Sequence, residues 1–389
     1  MQLNFIQIRH HKWIWQQPDW PGRQQKASQV FRYDHAALTP KLRELHFLQG
    51  VLLGKMGVQD NQQAALDTML ANILTSSAIE GERLNHSVVR SSLARKLGID
   101  EPQSVATTAQ SDGLAAMVTD AIGNWQQPLT LERLLQWHVW LFPSDSSLLQ
   151  REQIGQRVQG GQLRGNEPMQ VISGRIDRPK VHFEAPPREV LEGELNCFID
   201  WFNRSRDDAK LDPLLRAGIA HFWFITLHPL EDGNGRLARL LTDLALAQAE
   251  HQSIRFYAMS VAILERRSSY YDILEQSQKG DTDITAWLVW FLDTLAASLK
   301  QALADIEQTL LKTRFWQRVN QTQLNKEQVK VLNRLLDGDF SDGISNSQYG
   351  KVAMVSPATA SRHLAQLVEM GCLLKTAAGG RSTRYVISQ

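Results

Sequence analysis

The strongest constraint in this chain is a break between two apolar helices. Residues 210–227, with the run AGIAHFWFITL, and residues 235–249, GRLARLLTDLALAQA, both carry helical patterning and are separated by only a few residues. Pro229 ends the first helix, because its ring disfavours helical geometry at His228 and it has no N–H to donate. Gly233 and Gly235 flank Asn234, so the backbone can take positive φ and approach a ligand closely. The second helix starts near Gly235, where free N–H groups and the positive end of the dipole make an anion site.

Helical patterns dominate elsewhere too. Residues 61–80 place Leu66, Met69, Leu70, Ile73 and Leu74 at helical spacing, and residues 283–311 continue the theme. A different texture occurs at Leu163–Pro187, where two β-type runs, Met169–Ile172 and Val181–Phe183, flank a hairpin signal at residues 173–178. A lone hairpin buries little, so an edge flap is expected rather than a sheet core. The first 35 residues are rich in aromatics (Trp13, Trp15, Trp20, Phe31, Tyr33) and are expected to pack over the helices.

With 389 residues the chain is long enough for two or three domains, and its 43% hydrophobic content excludes a mostly disordered protein. Cys197 and Cys372 offer neither a disulfide framework nor a metal spacing. The longest apolar run, Ala286–Leu292, is far short of the ~20 residues that span a bilayer. A cytoplasmic protein without membrane contact is the expectation. Charge is divided unevenly: residues 313–389 hold ten Lys and Arg against five acids, and the rest holds 32 against 36. Such asymmetry hints at different partners for the two parts.

The corner between the two apolar helices carries the chemistry. Arg236 and Arg239, three apart, lie on one helical face and can address the same anion. Asp232 offers an oxygen ligand to Mg²⁺, which binds through one or two carboxylates plus substrate phosphates. His228, at the other end of the loop, can take a proton from a hydroxyl. A Walker loop is excluded because Arg236-Leu237 follows the last glycine, and an EF-hand because Arg236 occupies a ligand slot.

The run His228-Pro-Leu-Glu-Asp232-Gly-Asn-Gly-Arg236-Leu-Ala-Arg239 resembles the signature of the Fic (filamentation-induced-by-cAMP) family, in which HPF is followed by x, an acid and GNGRxxR. Leu230 stands where that family usually has Phe, a position expected to face the core. The resemblance implies a mainly α-helical core with a β-hairpin flap, and transfer of AMP from Mg-ATP to a Ser, Thr or Tyr hydroxyl of a target protein. It assigns His228 as general base and Asp232 as the Mg²⁺ ligand. The loop Gly233, Asn234 and Gly235 would hold phosphates, and Arg236 and Arg239 would grip the β- and γ-phosphates. The flap at residues 169–183 would dock the target by strand addition, and self-modification would be a second outcome. The motif does not read the base, so UMP or phosphocholine transfer stays open. Upstream, Ser76-Ser-Ala-Ile-Glu80-Gly81 resembles the family's inhibitory motif. Its implication is that Glu80 pairs with Arg239, with Ser76 one helical turn away, and that the enzyme is repressed at rest and can also remove AMP. His221 is expected to be a satisfied buried histidine, and Tyr270 and Tyr271 to be either core residues or stacking partners for adenine. The Trp13–Trp20 segment resembles an N-terminal region of a subset of Fic proteins.

Residues 325–389 read as a winged helix. Lys326–Leu336 presents Val329, Leu332 and Leu336 on one face, a short helix covers Ser347–Met354, and Ser356 caps a third that runs to Met370. Thr359, Arg362, His363 and Gln366 form a polar face on that third helix. Two strands, Cys372–Lys375 and Arg384–Ile387, flank a Gly379-Gly380 wing with Arg381 beside it. Such a face suits major-groove DNA contact, whereas the same fold also serves protein partners and homodimers. The expected organisation is an N-terminal region with the inhibitory helix (1–90), a catalytic core (91–312) and the winged helix (313–389). The competing function is a DNA-binding regulator in which the loop only senses nucleotide.

Overall fold

The computed structural model describes residues 13–23, 30–56, 62–101, 104–143, 158–175, 178–252, 256–319, 323–376 and 383–388. Contacts divide the chain into two compact units, Met1–Lys300 and Gln301–Gln389. The sequence places boundaries at 90/91 and 312/313, whereas this division falls at 300/301, inside one continuous helix.

The first unit is helical. Its helices are α1 (His35–Met56), α2 (Gln62–Ile79), α3 (His86–Leu97), α4 (Ala109–Gly123), α5 (Leu131–Leu141), α6 (Arg188–Arg204), α7 (Pro213–Leu227), α8 (Asn234–Glu250), α9 (Met259–Glu265) and α10 (Arg267–Gln278). Helix α11 (Thr285–Arg318) starts here and ends in the second unit. At the centre is α7, begun by the Asp212 side chain, which accepts from the Leu214 N–H, and by Pro213 in the first turn. Every residue from Leu214 to Leu227 is buried, which explains why its sequence is apolar all round. Helix α8 packs against it and is buried at Asn234 and from Arg236 to Gln248. Gly218 lets α11 approach closely, since a Cβ there would sit 3.0 Å from both Leu288 and Phe291. Trp20 and Phe31 pack edge-on against each other and against Trp223 of α7. The Trp20 indole also donates to Glu194 at 2.7 Å. The aromatic N-terminal segment is thus a packing element, as expected.

The flap is an antiparallel pair, β1 (Gln170–Arg175) and β2 (Arg178–Glu184), with an irregularity between Val171 and Ile172. Its strands are longer than the apolar runs suggest, because pairing continues through Ser173 opposite Lys180 and Gly174 opposite Pro179. Phe183 anchors it in the core, while Val171 and Ile172 are exposed.

The second unit follows the expected order of helices and strands: α12 (Lys326–Leu336), α13 (Asn346–Ala353), α14 (Pro357–Glu369), β3 (Leu373–Lys375) and β4 (Tyr385–Ile387). The two strands pair antiparallel. The core-facing side of α12 includes Val331 and Leu335 as well as Leu332 and Leu336, and Val329 is only half-buried. One expected DNA-contact residue is corrected. His363 is buried: its Nδ1 meets the Tyr349 hydroxyl at 3.1 Å and its Nε2 lies 3.3 Å from Asn325 Nδ2. Arg362 and Gln366 are exposed and Thr359 is half-buried beside the Ser356 cap. Gly379, Gly380 and Arg381 lie outside the described residues.

Candidate active site

The break between α7 and α8 folds as its residues dictate. His228 caps α7 in the left-handed region, φ 47°, and its N–H donates to Phe224 O. Its ring Nδ1 lies 3.2 Å from the Ile225 carbonyl. A carbonyl can only accept, so Nδ1 carries the proton and the Nε2 lone pair is left to accept one. Burial lowers the His228 pKa to about 4, so the ring is neutral at pH 7 and in the form a general base requires.

Between the helices the loop is closed by its own asparagine. Leu230 N–H donates to Asn234 Oδ1 at 2.9 Å, and Asn234 Nδ2 donates back to Leu230 O at 2.8 Å. The Asn234 side chain is thus turned inward and braces the loop, so any part of Asn234 in holding phosphate falls to its backbone N–H. Leu230 is fully buried, as expected from its place in the motif. Gly233 precedes α8 with φ 86°, a conformation that favours glycine. Asp232 Oδ1 accepts from the Gly233 N–H at 2.5 Å, and Asp232 remains exposed.

The two arginines enter from the first turns of α8 and are buried. Arg239 donates through Nε to Ser76 Oγ at 2.8 Å, and through Nη2 to Ser76 O at 2.9 Å and Glu80 Oε1 at 2.7 Å. Ser76 and Glu80, one turn apart in sequence, therefore hold the same guanidinium. The fit depends on Gly235: a Cβ there would lie 2.2 Å from Glu80 Oε1. The Glu80 carboxylate thus rests on the N-terminal turn of α8, where an anion is favoured. Arg236 Nη1 donates to Glu82 Oε2 at 2.6 Å, its Nη2 lies 3.7 Å from Asp232 Oδ1, and its guanidinium stands 5.0 Å from the Phe142 ring centre. Among the described residues Arg236 Nε and Arg239 Nη1 are buried without a hydrogen-bond partner. These atoms, with the glycine cradle, suit a polyanionic ligand such as a nucleotide phosphate tail. A single carboxylate at Asp232 suits a Mg²⁺ ion shared with phosphates, and among the described residues no group of three or more His, Cys, Asp or Glu could hold a metal alone.

Three participants were missed in the sequence. Arg164 is buried behind the loop and donates from Nε to His228 O at 2.8 Å, from its backbone N–H to Pro229 O at 3.0 Å and from Nη2 to Pro186 O. Glu82 holds Arg236, and Gln110 Nε2 donates to the other Glu82 oxygen at 2.5 Å. His221 is a satisfied core histidine, with Nδ1 2.9 Å from Thr242 Oγ1 and Nε2 2.9 Å from the Tyr270 hydroxyl. Tyr270 is buried with it, whereas Tyr271 is exposed and its hydroxyl donates to Ile79 O at 3.3 Å.

Comparisons with known proteins converge on the same corner. Residues 128–246 match the Fic/DOC family, and residues 13–99 match a domain of unknown function. A protein adenylyltransferase Fic of Nematostella vectensis is 25% identical over 224 residues, 57% of this chain and 46% of its own length. Protein adenylyltransferase fic-1 of Caenorhabditis elegans is 33% identical over 115 residues, 28% of this chain and 21% of its own length. The chain thus spans less than half the length of these curated relatives. A Fic family protein from Desulfovibrio desulfuricans shares the fold, with a TM-score of 0.53 at 18% identity over 92% of this chain and 98% of its own. The likeness to the Fic/DOC family covers residues 128–246, the stretch that holds the His228–Arg239 corner.

Proposed function

We propose that this chain is a nucleotidyltransferase that moves AMP from Mg-ATP onto a hydroxyl of a target protein, and that Glu80 holds it at rest. The observation that carries this reading is the Glu80 carboxylate seated on Gly235 and paired with Arg239 at the start of α8. An internal anion occupies the place a nucleotide phosphate would take. Once Glu80 withdraws, the N–H groups of that turn, Arg236 and Arg239 bind the phosphate tail, and Asp232 would hold a Mg²⁺ ion, which would supply charge neutralisation to the phosphates. His228 Nε2 takes the proton of the target hydroxyl, whose oxygen attacks the α-phosphorus. The bond from that phosphorus to the bridging oxygen breaks, and pyrophosphate leaves with its charge met by Arg236 and Arg239. Arg164 keeps the His228 carbonyl fixed and thereby the ring's direction. An extended target segment pairs with the flap, where Val171 and Ile172 are exposed. Removal of AMP is a hydrolysis at the same site: a water oxygen attacks the phosphorus and the bond from phosphorus to the target oxygen breaks. His228 Nε2 takes a proton from the water and returns one to the target oxygen, and AMP leaves.

The DNA-regulator reading draws no specific support. With His363 buried, the polar face of α14 is reduced to Arg362, Gln366 and half-buried Thr359. The test of the transferase reading is incubation of Glu80→Gly with α-labelled ATP and Mg²⁺. The expected result is strong labelling of itself or a lysate protein, an increment of one adenylate by intact mass, and loss of both in Glu80→Gly/His228→Ala. No labelling by any form would refute the reading, and a different increment would name another transferred group.

A further inference from the structure

The two arginines of α8 are each held by a separate carboxylate, and the sequence motif accounts for only one of them. Glu80 and Glu82 flank Gly81, whose φ is 83°. In a continuing helix, residues two apart point to nearly opposite sides. The left-handed turn at Gly81 instead lets both carboxylates reach α8, Glu80 to Arg239 at 2.7 Å and Glu82 to Arg236 at 2.6 Å. We infer that Glu82, braced by Gln110, is a second hold on the anion site with an arginine of its own, so that removing Glu80 frees only half of it. This rests on the transferase reading and specifies how the same site is regulated.

The geometry favours a blocking role over a supporting one. Arg236 is buried, and Glu82 takes its Nη1. The Phe142 ring lies 5.0 Å from the guanidinium carbon, and Asp232 stands 3.7 Å from Nη2. Bidentate grip on phosphate needs two parallel donors on one edge of the guanidinium. Glu82 competes for the Nη1 donors of the Nη1–Nη2 edge, so a phosphate meets a carboxylate there and is left with the Nε–Nη2 edge. A third carboxylate also weighs on the site: Asp232, Glu80 and Glu82 together exceed the charge of Arg236 and Arg239. A phosphate tail approaching this cluster meets net negative charge until a carboxylate leaves. Glu82 is well placed to leave, because it is partly exposed and lies in the turn between α2 and α3. Gln110, at the start of α4, fixes its other oxygen at 2.5 Å. Anything that pulls the α2–α3 turn away from α8 withdraws both carboxylates in one motion.

The experiment compares full-length parent, Glu80→Gly, Glu80→Gly/Glu82→Gln and Glu80→Gly/Gln110→Ala, with Mg-ATP affinity measured by calorimetry and transfer by α-label. Loss of one charged hydrogen bond to Arg236 should tighten Mg-ATP binding by about tenfold or more on adding Glu82→Gln. KM should fall in parallel while kcat changes little, a split that a merely structural residue would not give. Gln110→Ala, which loosens Glu82 without removing it, should give a smaller gain in the same direction. It also covers the case in which the double variant fails to fold. Unchanged or weaker Mg-ATP binding in both would overturn the second hold and make Glu82 a support for Arg236. Tighter binding with no transfer by any form would overturn the transferase reading and leave the second hold standing.

Discussion

The Glu80–Arg239 pair should stabilise the fold whether or not Glu80 restrains the site as proposed, so its removal has a cost that can be measured without any assay of activity. The Arg239 side chain is 2% exposed and that of Glu80 32%. Removing one member of a fully buried ion pair costs about 3–5 kcal/mol. Here the loss is smaller, because Arg239 keeps its bonds to Ser76 Oγ and Ser76 O and the carboxylate is already partly in water. One charge-assisted hydrogen bond, about 1.5–3 kcal/mol, is the appropriate scale for Glu80→Ala. For a unit of this size each kcal/mol moves the unfolding midpoint by about 2 °C, so a fall of about 3–6 °C is expected by calorimetry. Arg239→Met on the Glu80→Ala background removes the stranded charge and should cost less than Arg239→Met in the parent. Mg-ATP at about a hundred times its Kd should return about 2.7 kcal/mol to Glu80→Ala, and far less to the parent. A Glu80→Ala protein as stable as the parent, or additive effects at residues 80 and 239, would refute the pairing argument.

Two further predictions concern histidines. The neutral form of His228 persists down to about pH 4 and the Glu80 charge holds that value up, so the acid limb of kcat/KM in Glu80→Gly should have its midpoint at or below about 4, with a plateau above; a midpoint near 6.5 would count against the desolvated base. His221, held in its neutral form by burial with a pKa of about 3, contributes stability that is complete above the unfolded value near 6.5 and is lost as pH falls toward 3. Urea titrations at pH 6.5 and 4.5 should show His221→Gln losing a slope of nearly one proton relative to the parent.

What was legible in the sequence was local. Pro229, Gly233 and Gly235 write the corner into the backbone, and the four-residue step from Ser76 to Glu80 puts both on one side of α2. Arg164 was not legible, because its contacts to His228 and Pro229 join residues 64 and 65 apart, and nothing in its neighbourhood marks it as buried. The family resemblance groups Asn234 with the phosphate-holding loop, and spacing gives no sign that its amide closes that loop on the Leu230 N–H and C=O. His363 was placed on a polar face by spacing alone. Spacing identifies a face, and only the partners Tyr349 and Asn325 show that this part of it is buried. Glu82 had a signal in Gly81: a glycine ending a helix reverses the rule about which residues share a side, so the next carboxylate comes round to the same target.

That reversal bears on how strongly such a site can be restrained. A carboxylate that must leave before the nucleotide binds lowers apparent affinity by the fraction of molecules in which it has already left. If one hold is worth about 2 kcal/mol, that fraction is about 3%, and apparent Kd rises about 30-fold. Two holds acting independently would multiply, giving roughly a thousandfold restraint from two ordinary ion pairs. They share one lever, however, because Gly81 joins them and the α2–α3 turn carries both. A motion of that turn would release Arg236 and Arg239 together, so the transition from restrained to competent should be steeper than either pair alone would produce. A single nucleotide can displace one carboxylate by competition. Any ligand that binds α8 only with both carboxylates withdrawn, the nucleotide included, shifts that one equilibrium by its differential affinity for the two states.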